Sequence, residues 1–283
     1  MDAIFYAFVS AMRNTSNSLI STQVLRFKSL SAGSVTLVSL VPAFLISLAW
    51  SIQFWNSLTL VILSLMVLKN TLYGVAFYLR FRGLSHLGGF QGSLLAASQP
   101  VLVSVLSLGV LGEHLLMKQW FAVALITVAL LVPAKFEKGK HSDILNFALV
   151  PALLLSIVIV IDRWILVNSL SPLEFFVLDK AILFPVVVLT LVLSGQHQLK
   201  WTAPAKLKSS TWFWICSLGL TWGLASYTYG VSLAGEKTAL VTMIRNLAFP
   251  AAALESALLF GEQLNKSRIL SLVLVDSACA IAI

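Results

Sequence analysis

Long, continuously apolar runs recur along this chain and alternate with short polar connections. Each run approaches the roughly 20 residues that a helix needs to cross a bilayer, so the pattern predicts membrane-spanning helices. The runs do not alternate residue by residue, as the strands of a membrane barrel would. The ten predicted spans are Ala3–Leu25, Ser34–Ile52, Leu58–Tyr78, Gly89–Leu111, Gln119–Pro133, Ile144–Leu166, Leu173–Leu193, Trp212–Leu233, Ala239–Phe260 and Ile269–Ile283.

A repeated pattern divides the ten spans into two sets of five, on either side of the charged stretch AKFEKGKHSD. Each set closes with a proline, an apolar run and Gly-Glu: Pro100 to Glu113, and Pro250 to Glu262 about 150 residues later. Because five is odd, the second set enters the membrane from the opposite side, which predicts an inverted repeat. The predicted fold is therefore an all-α membrane protein of ten transmembrane helices. Its predicted domains are a first five-helix repeat (1–134), a charged connecting loop (135–143) and a second five-helix repeat (144–283).

Composition supports a lipid-embedded chain. The 283 residues are 59% hydrophobic and 11% charged, with a mean hydropathy of +0.94, whereas soluble domains are about 25% charged. The net charge of +8 would suggest a nucleic-acid partner in a soluble protein. Here Lys and Arg lie mostly in the connections, as membrane orientation requires, so no nucleic acid is expected. We predict a multi-pass protein of the inner or plasma membrane, or of an endomembrane.

The orientation follows from the same basic residues. The odd-numbered connections hold most of the Lys and Arg, whereas the even-numbered ones hold little beyond Lys118 and Lys237. The positive-inside rule would place the odd connections in the cytoplasm and both termini on the other side. The N-terminus lacks a positive leader and a small-residue cleavage site, so it is interpreted as the first span.

Four cationic residues lie inside predicted spans: Arg13, Lys69, Lys180 and Arg245. Each would cost about 2.5–3.5 kcal/mol at the centre of a lipid-facing helix. They must therefore face a wet cavity, a charged partner or the membrane interface. Such residues are the candidates for chemistry in this chain.

Span nine carries the clearest of these candidates. One helical face presents Thr242, Arg245, Asn246 and Phe249. Pro250 follows and can kink the helix there. Two interpretations stay open: Arg245 contacts an anionic substrate, or it is a structural residue paired with Glu255 or Asp179.

Spans three and seven carry a lysine each. Lys69 shares a face with Asn70 and Tyr73, and it either lies mid-membrane or extends to the interface. In span seven, adjacent residues point about 100° apart. Asp179 and Lys180 are therefore not expected to pair with each other, and Lys180 is expected to face the cavity.

Spans one and eight contribute further polar candidates. Arg13 and Asn17 lie one turn apart on a stripe that either lines a cavity or bonds neighbouring helices. Tyr227 is a candidate contact, although Tyr and Trp residues of this span more often pack. Asp162-Arg163 is interpreted as a structural or interfacial pair. Glu113 and Glu262 are expected to cap or pair locally.

Enzyme signatures are not found in the sequence. The histidines all lie at span ends, and the two cysteines have no metal-ligand spacing around them. The glycine-rich stretch 88–92 opens a membrane helix and does not follow a strand, so it is a poor dinucleotide motif. No enzyme activity, cofactor or metal is therefore expected.

The repeated Pro…Gly-Glu pattern in two five-helix halves resembles the drug/metabolite transporter superfamily, in its ten-helix EamA-like form. Leu170-Ser171-Pro172-Leu173 at the entry of span seven is similar to that family's repeat start. The resemblance implies a central cavity lined mainly by spans one to four and six to nine. It also implies that spans five and ten lie peripherally, often near a homodimer contact, and that both termini are cytoplasmic, which contradicts the charge count.

Span nine departs from the EamA-like pattern, because Arg245 and Asn246 stand where that family usually has Glu-Pro-Val. Nucleotide-sugar transporters of the superfamily carry a Gly-Ala-Leu-Asn-Lys motif in this helix, which is not present here. The expected function is secondary transport of a small polar metabolite, including anionic ones, by alternating access. The alternatives are a nucleotide-sugar or sugar-phosphate antiporter, a membrane enzyme acting on lipid-linked substrates, and a scaffold or receptor.

Overall fold

The computed structural model describes residues 3–13, 32–87, 98–134, 149–193, 209–245 and 266–283. These residues form ten α-helices, one short 3-10 turn (Trp55–Ser57) and no strand, which confirms the predicted all-α fold. The helices are α1 (Ala3–Arg13), α2 (Ala32–Ser51), α3 (Leu60–Leu87), α4 (Gln99–Leu111), α5 (Met117–Ala134), α6 (Val150–Asn168), α7 (Pro172–Leu193), α8 (Ser209–Gly235), α9 (Thr238–Arg245) and α10 (Lys266–Ala282).

Local sequence signals set several helix ends. Pro172 occupies the first position of α7, where a missing N–H costs nothing. The Ser171 backbone amide donates to the Glu174 carboxylate at 2.9 Å, and the Glu174 backbone amide donates to the Ser171 hydroxyl oxygen at 3.4 Å, as in a capping box. Gly112 ends α4 with a φ of +65°, which a residue without a Cβ adopts at low cost.

The predicted spans agree with the helices to within a few residues where both are described, except in span three. That helix continues to Leu87, beyond the predicted end at Tyr78. The sequence predicts a connection after Tyr78, but the helix extends through these polar residues. The stretches 14–31, 88–97 and 246–265 lie outside the described residues, and so do the predicted kink at Pro250 and the predicted roles of Glu255 and Glu262.

In an inverted repeat, helices α1 to α5 correspond to α6 to α10. Each contact between the two halves should then recur when both helices are replaced by their counterparts, and the observed helix pairs follow this rule. The pairs α2–α7, α4–α9 and α5–α10 each join a helix to its own counterpart. The contact of α3 with α7 is matched by that of α8 with α2. The contact of α3 with α6 is matched by that of α8 with α1, where the Ser10 hydroxyl donates to the Ala225 carbonyl at 3.1 Å.

The outer surface of the bundle is apolar. Large side chains such as Leu45, Val110, Phe121 and Phe213 are more than half exposed, which suits contact with acyl chains. Among the described residues, Leu60–Leu79 and Val150–Asn168 are each long and apolar enough to cross a bilayer by themselves. The buried charged side chains, among them Lys69, Asp179 and Lys180, lie between the helices and define the site described below.

Close packing of α2 against α8 depends on Gly219. A Cβ built on Gly219 would overlap the Pro42 ring, at 2.7 Å from its Cδ, and would lie 3.0 Å from the Ser39 carbonyl oxygen. Because the obstacles are a proline ring and backbone, neither can move aside without separating the helices. We therefore expect Gly219→Ala to lower the free energy of unfolding by about 1–3 kcal/mol, the usual cost of overpacking. Thermal unfolding of the detergent-solubilised protein measures this.

Gly223, one turn further along α8, provides the matched control. A Cβ at Gly223 would meet only Cβ of Ala43, at an ordinary 3.5 Å. Gly223→Ala should leave the melting temperature unchanged or raise it, since alanine is the better helix former. Equal destabilisation by the two substitutions would show that the α2–α8 approach is looser than described.

Candidate functional site

A cavity of about 70 Å³ lies between the two sets of helices. Its walls come from α3 on one side and from α6, α7, α8 and α9 on the other, with Gln99 of α4 at the edge. The polar and aromatic residues that line it are Lys69, Asn70, Tyr73, Phe77, Gln99, Asp162, Phe175, Asp179, Lys180, Trp222, Ser226, Tyr229 and Arg245. A cavity of this size holds a few water molecules.

Two lysines and two aspartates form a chain of alternating charge between the walls of the cavity, here called the charge quartet: Asp162, Lys69, Asp179 and Lys180. The ammonium of Lys69 lies 2.7 Å from Oδ1 of Asp162 and 2.5 Å from Oδ1 of Asp179. The second oxygen of Asp179 lies 2.6 Å from Nζ of Lys180. The quartet is therefore neutral as a whole, which is what permits its burial.

The quartet joins the two predicted halves. Lys69 belongs to α3, whereas its partners belong to α6 and α7. Lys69 lies nine positions after the start of α3 at Leu60, about 13.5 Å along the helix. Its side chain is only 2% exposed, so it is buried between the helices and does not extend along the surface of the bundle. Its depth in the membrane stays a prediction.

Aromatic rings surround the lysines. Nζ of Lys69 lies 4.5 Å from the ring centroid of Phe175, and Nζ of Lys180 lies 4.4 Å from that of Trp222. The indole N–H of Trp222 donates to the hydroxyl of Tyr73 at 3.0 Å, and Tyr73 stacks on Phe77 at 5.2 Å. Each ammonium thus has carboxylate oxygen on one side and a π-face on another, an arrangement that stabilises a cation away from water.

Among the described residues that line the cavity, Arg245 is the charged residue outside the quartet. It stands at the last described position of α9, and its guanidinium carbon lies 4.3 Å from the ring centroid of Tyr229. Both carboxylates of the quartet already face lysines.

The structure brings together half of the predicted site residues. Those that line the cavity are Lys69, Asn70, Tyr73, Lys180 and Arg245. Thr242 is buried, and its hydroxyl donates to the Thr238 carbonyl at 2.7 Å within α9. Tyr227 meets Phe176 edge to face at 5.7 Å, and Arg13 is half-buried at the end of α1. Neither lines the cavity, and Asn17 and Asn246 lie outside the described residues.

Two predicted pairings are wrong. Asp162 and Arg163 do not pair with each other: Asp162 faces Lys69 in the cavity, whereas Arg163 turns to Glu113. Conversely, Asp179 and Lys180 do pair, at 2.6 Å. The Cα–Cβ bonds of adjacent helical residues point about 100° apart. The Lys180 side chain is long enough to bend toward Asp179 and reach its carboxylate despite this angle.

The sequence interpretation missed Asp162, Asp179, Trp222 and Tyr229 as residues of the cavity. A signal for the carboxylates was present, since two lysines buried mid-membrane require counter-charges and Asp162 and Asp179 are acidic residues within apolar spans. Trp222 and Tyr229 gave no such signal, because an aromatic residue in a membrane helix usually packs.

Comparison with known proteins agrees with the fold. The model of the EamA-like transporter family matches residues 1–133, which confirms the predicted resemblance; the domain boundaries themselves stay predictions. A solved crystal structure, described only as that of a protein, covers 99% of this chain and 96% of its own, with a TM-score of 0.72 and 15% identity. At that identity the likeness shows the fold alone. No curated protein gives a significant match.

Proposed function

We propose that this chain, a membrane protein of the drug/metabolite transporter superfamily by the match of residues 1–133 to the EamA-like transporter family, is a secondary transporter of a small polar metabolite with an anionic group. The observation that carries the proposal is the cavity between the helix sets, where the neutral charge quartet lies beside Arg245. Charged residues at membrane depth are costly, and they mark substrate and ion pathways.

The proposed binding mode gives each group a role. The anionic group of the substrate binds near Arg245, so the ion pairs of the quartet stay intact. Asn70 and Gln99 line the same cavity and can supply directional hydrogen bonds. Tyr73, Phe77 and Trp222 form an apolar wall for the rest of the molecule.

Alternating access is the proposed mechanism. The cavity of about 70 Å³ is smaller than the pockets of roughly 300–1,000 Å³ that hold small ligands. We therefore assign this conformation to a nearly closed state, and the cavity must widen when one side opens. The halves would rock about the quartet, which joins α3 to α6 and α7 across their boundary.

A sugar phosphate or nucleotide sugar is the second candidate substrate. The aromatic wall favours it, since Tyr73, Phe77 and Trp222 could stack on a sugar or base while Arg245 held a phosphate. Membrane-enzyme and scaffold functions have no comparable support from the described residues.

A thermal-shift screen followed by counterflow tests the proposal. The purified protein would be screened against carboxylates, amino acids, phosphorylated metabolites and nucleotide sugars. A substrate present at about 100 times its Kd should stabilise the protein by about 2.7 kcal/mol and raise its melting temperature. The compounds that do so would then be tested by counterflow in proteoliposomes, with protein-free liposomes as the control.

Accumulation of the labelled compound against an unlabelled internal pool would establish a carrier. Chemical conversion of the compound would instead indicate an enzyme. Binding without any movement would indicate a receptor, and either of these last two results would refute the proposal.

A further inference from the structure

One end of the bundle carries a second cluster of polar contacts outside the cavity, centred on Glu113. The Glu113 carboxylate accepts from the backbone amide of Thr238 at 2.9 Å and from its hydroxyl at 3.0 Å. It also accepts from Nε of Arg163 at 3.2 Å. Arg163 donates in addition to the Leu233 carbonyl at the end of α8. We call Glu113, Arg163 and Thr238 the Glu113 cluster.

These contacts cross between the two predicted halves. Glu113 follows α4 of the first half, whereas Arg163 belongs to α6 and Thr238 begins α9 in the second. The left-handed Gly112 turns the chain at the end of α4 and leads directly into Glu113. The neighbouring residues add a further link across the halves, since Nζ of Lys237 donates to the His114 carbonyl at 2.6 Å. The prediction that Glu113 caps or pairs locally is wrong about the partners, because Arg163 and Thr238 lie 50 and 125 residues away in the chain.

The same end of the bundle holds another bond between the halves. The Ser57 hydroxyl, between α2 and α3, donates to the Glu174 carboxylate in the first turn of α7 at 3.1 Å. Both links therefore lie on the face that carries the even-numbered connections. Polar contacts therefore join the two predicted halves on that face, and such contacts can be exchanged for hydrogen bonds to water when the halves separate.

The Glu113 cluster and the cavity share two helices. On α6, Arg163 of the cluster is adjacent to Asp162 of the charge quartet. On α9, Thr238 of the Glu113 cluster and Arg245 of the cavity lie at opposite ends of the described helix. Those ends are about 10 Å apart, a distance over which two helical turns move as a rigid body. A shift of Arg245 or Asp162 toward a bound substrate would therefore pull on the partners of Glu113.

From this geometry we propose that the Glu113 cluster is a latch: it holds the even-connection face closed and opens during the transport cycle. The inference rests on the proposed function, because only a transporter needs to open that face. Glu113 is a positioning residue in this proposal, since it does not line the cavity. The carboxylate is the common acceptor of all three bonds, so its neutralisation should weaken all of them.

Access to the cavity from the latch face tests this directly. The parent protein for labelling carries Ser226→Cys, which places a thiol in the cavity wall, and Cys216→Ser, which removes an exposed thiol. A membrane-impermeant thiol reagent is then added to proteoliposomes on the face that carries Ile283, to which Lys118 at the start of α5 lies close. In a Glu113→Gln background, we expect the thiol introduced in the cavity to react about tenfold faster, since bonds to a charged acceptor are replaced by weaker neutral ones.

Glu236→Gln is the matched control. Glu236 lies in the same α8–α9 turn and loses the same charge, but its backbone amide donates to the Ser232 carbonyl within its own turn and it does not belong to the Glu113 cluster. Its substitution should leave the labelling rate unchanged. Equal rates in Glu113→Gln and in the parent protein would overturn the latch.

Native Cys279 reports on folding, because it is fully buried and lies outside the cavity. It should stay unreactive if Glu113→Gln opens only the latch. If both thiols react quickly, the Glu113→Gln variant has unfolded, and the Thr238→Val variant is tested in its place. This substitution removes the hydrogen bond from the Thr238 hydroxyl to Glu113 and keeps the one from the Thr238 backbone amide. Faster labelling of the cavity thiol in that variant supports the latch, and an unchanged rate refutes it.

The labelling needs no substrate, so it separates the two proposals. Faster labelling together with no transported compound would show that the face opens at the Glu113 cluster and would count against the assigned transport. Transport that depends on Arg245, together with an unchanged labelling rate, would support the assigned transport and refute the latch.

Discussion

Replacing Lys69 by methionine should lower the free energy of unfolding by about 3–5 kcal/mol, the usual cost of removing one partner from a buried ion pair. Methionine nearly preserves the volume, so the effect reports on charge. Without Lys69, the Asp162 carboxylate loses the ammonium at 2.7 Å and Asp179 keeps only Lys180. The melting temperature of the protein in nanodiscs, together with the fraction that remains monodisperse after extraction, measures the loss.

Two further variants determine whether charge balance is the cause. Lys180→Met should cost less, because Asp179 still faces Lys69. Lys69→Met combined with Asp162→Asn removes one charge of each sign and leaves the Asp179–Lys180 pair intact, so it should recover most of the lost stability. If the double variant melts as low as Lys69→Met alone, the quartet is not held by charge neutrality.

The helices could be predicted from the sequence because lipid imposes a length and a composition on every span. The same rule explains the miss at the end of α3. Hydropathy detects the part of a helix that lies in hydrocarbon, but α3 continues beyond Tyr78 through a polar stretch to Leu87. The start of span four and most of span nine lie outside the described residues, so those boundaries stay predictions.

The site could be predicted only in part. Lys69, Lys180 and Arg245 were identifiable because an ammonium or guanidinium in an apolar span needs an explanation. Their partners were not, since the pairing depends on the register between α3, α6 and α7, which no local pattern encodes. Asp162 and Arg163 illustrate this: as neighbours on one helix they point in different directions, one into the cavity and the other to Glu113.

The two interpretations of Arg245 can now be compared. Of the proposed structural partners, Glu255 lies outside the described residues, and Asp179 faces Lys69 and Lys180. The Arg245 guanidinium lies over the Tyr229 ring and lines the cavity. The substrate contact of Arg245 stays a prediction, which the next substitution tests.

Replacing Arg245 by alanine should therefore reduce uptake by at least about tenfold, the value of a hydrogen bond between charged groups, while the protein still folds. The charge quartet keeps its neutrality in this variant, so a stability loss like that of Lys69→Met is not expected. Uptake into proteoliposomes of a compound that passes the thermal-shift screen measures the effect, and the melting temperature of the same preparation measures folding.

Arg245→Lys and Lys266→Ala complete the comparison. Lysine keeps the positive charge but not the planar fork that binds a carboxylate or phosphate through two bonds, so uptake should be intermediate. Lys266 is exposed at the start of α10, and its loss should change little. Undiminished uptake by a folded Arg245→Ala variant would mean that the substrate anion binds elsewhere. In that case the quartet itself would have to exchange a carboxylate for the substrate, and transport should then depend on Asp162 instead.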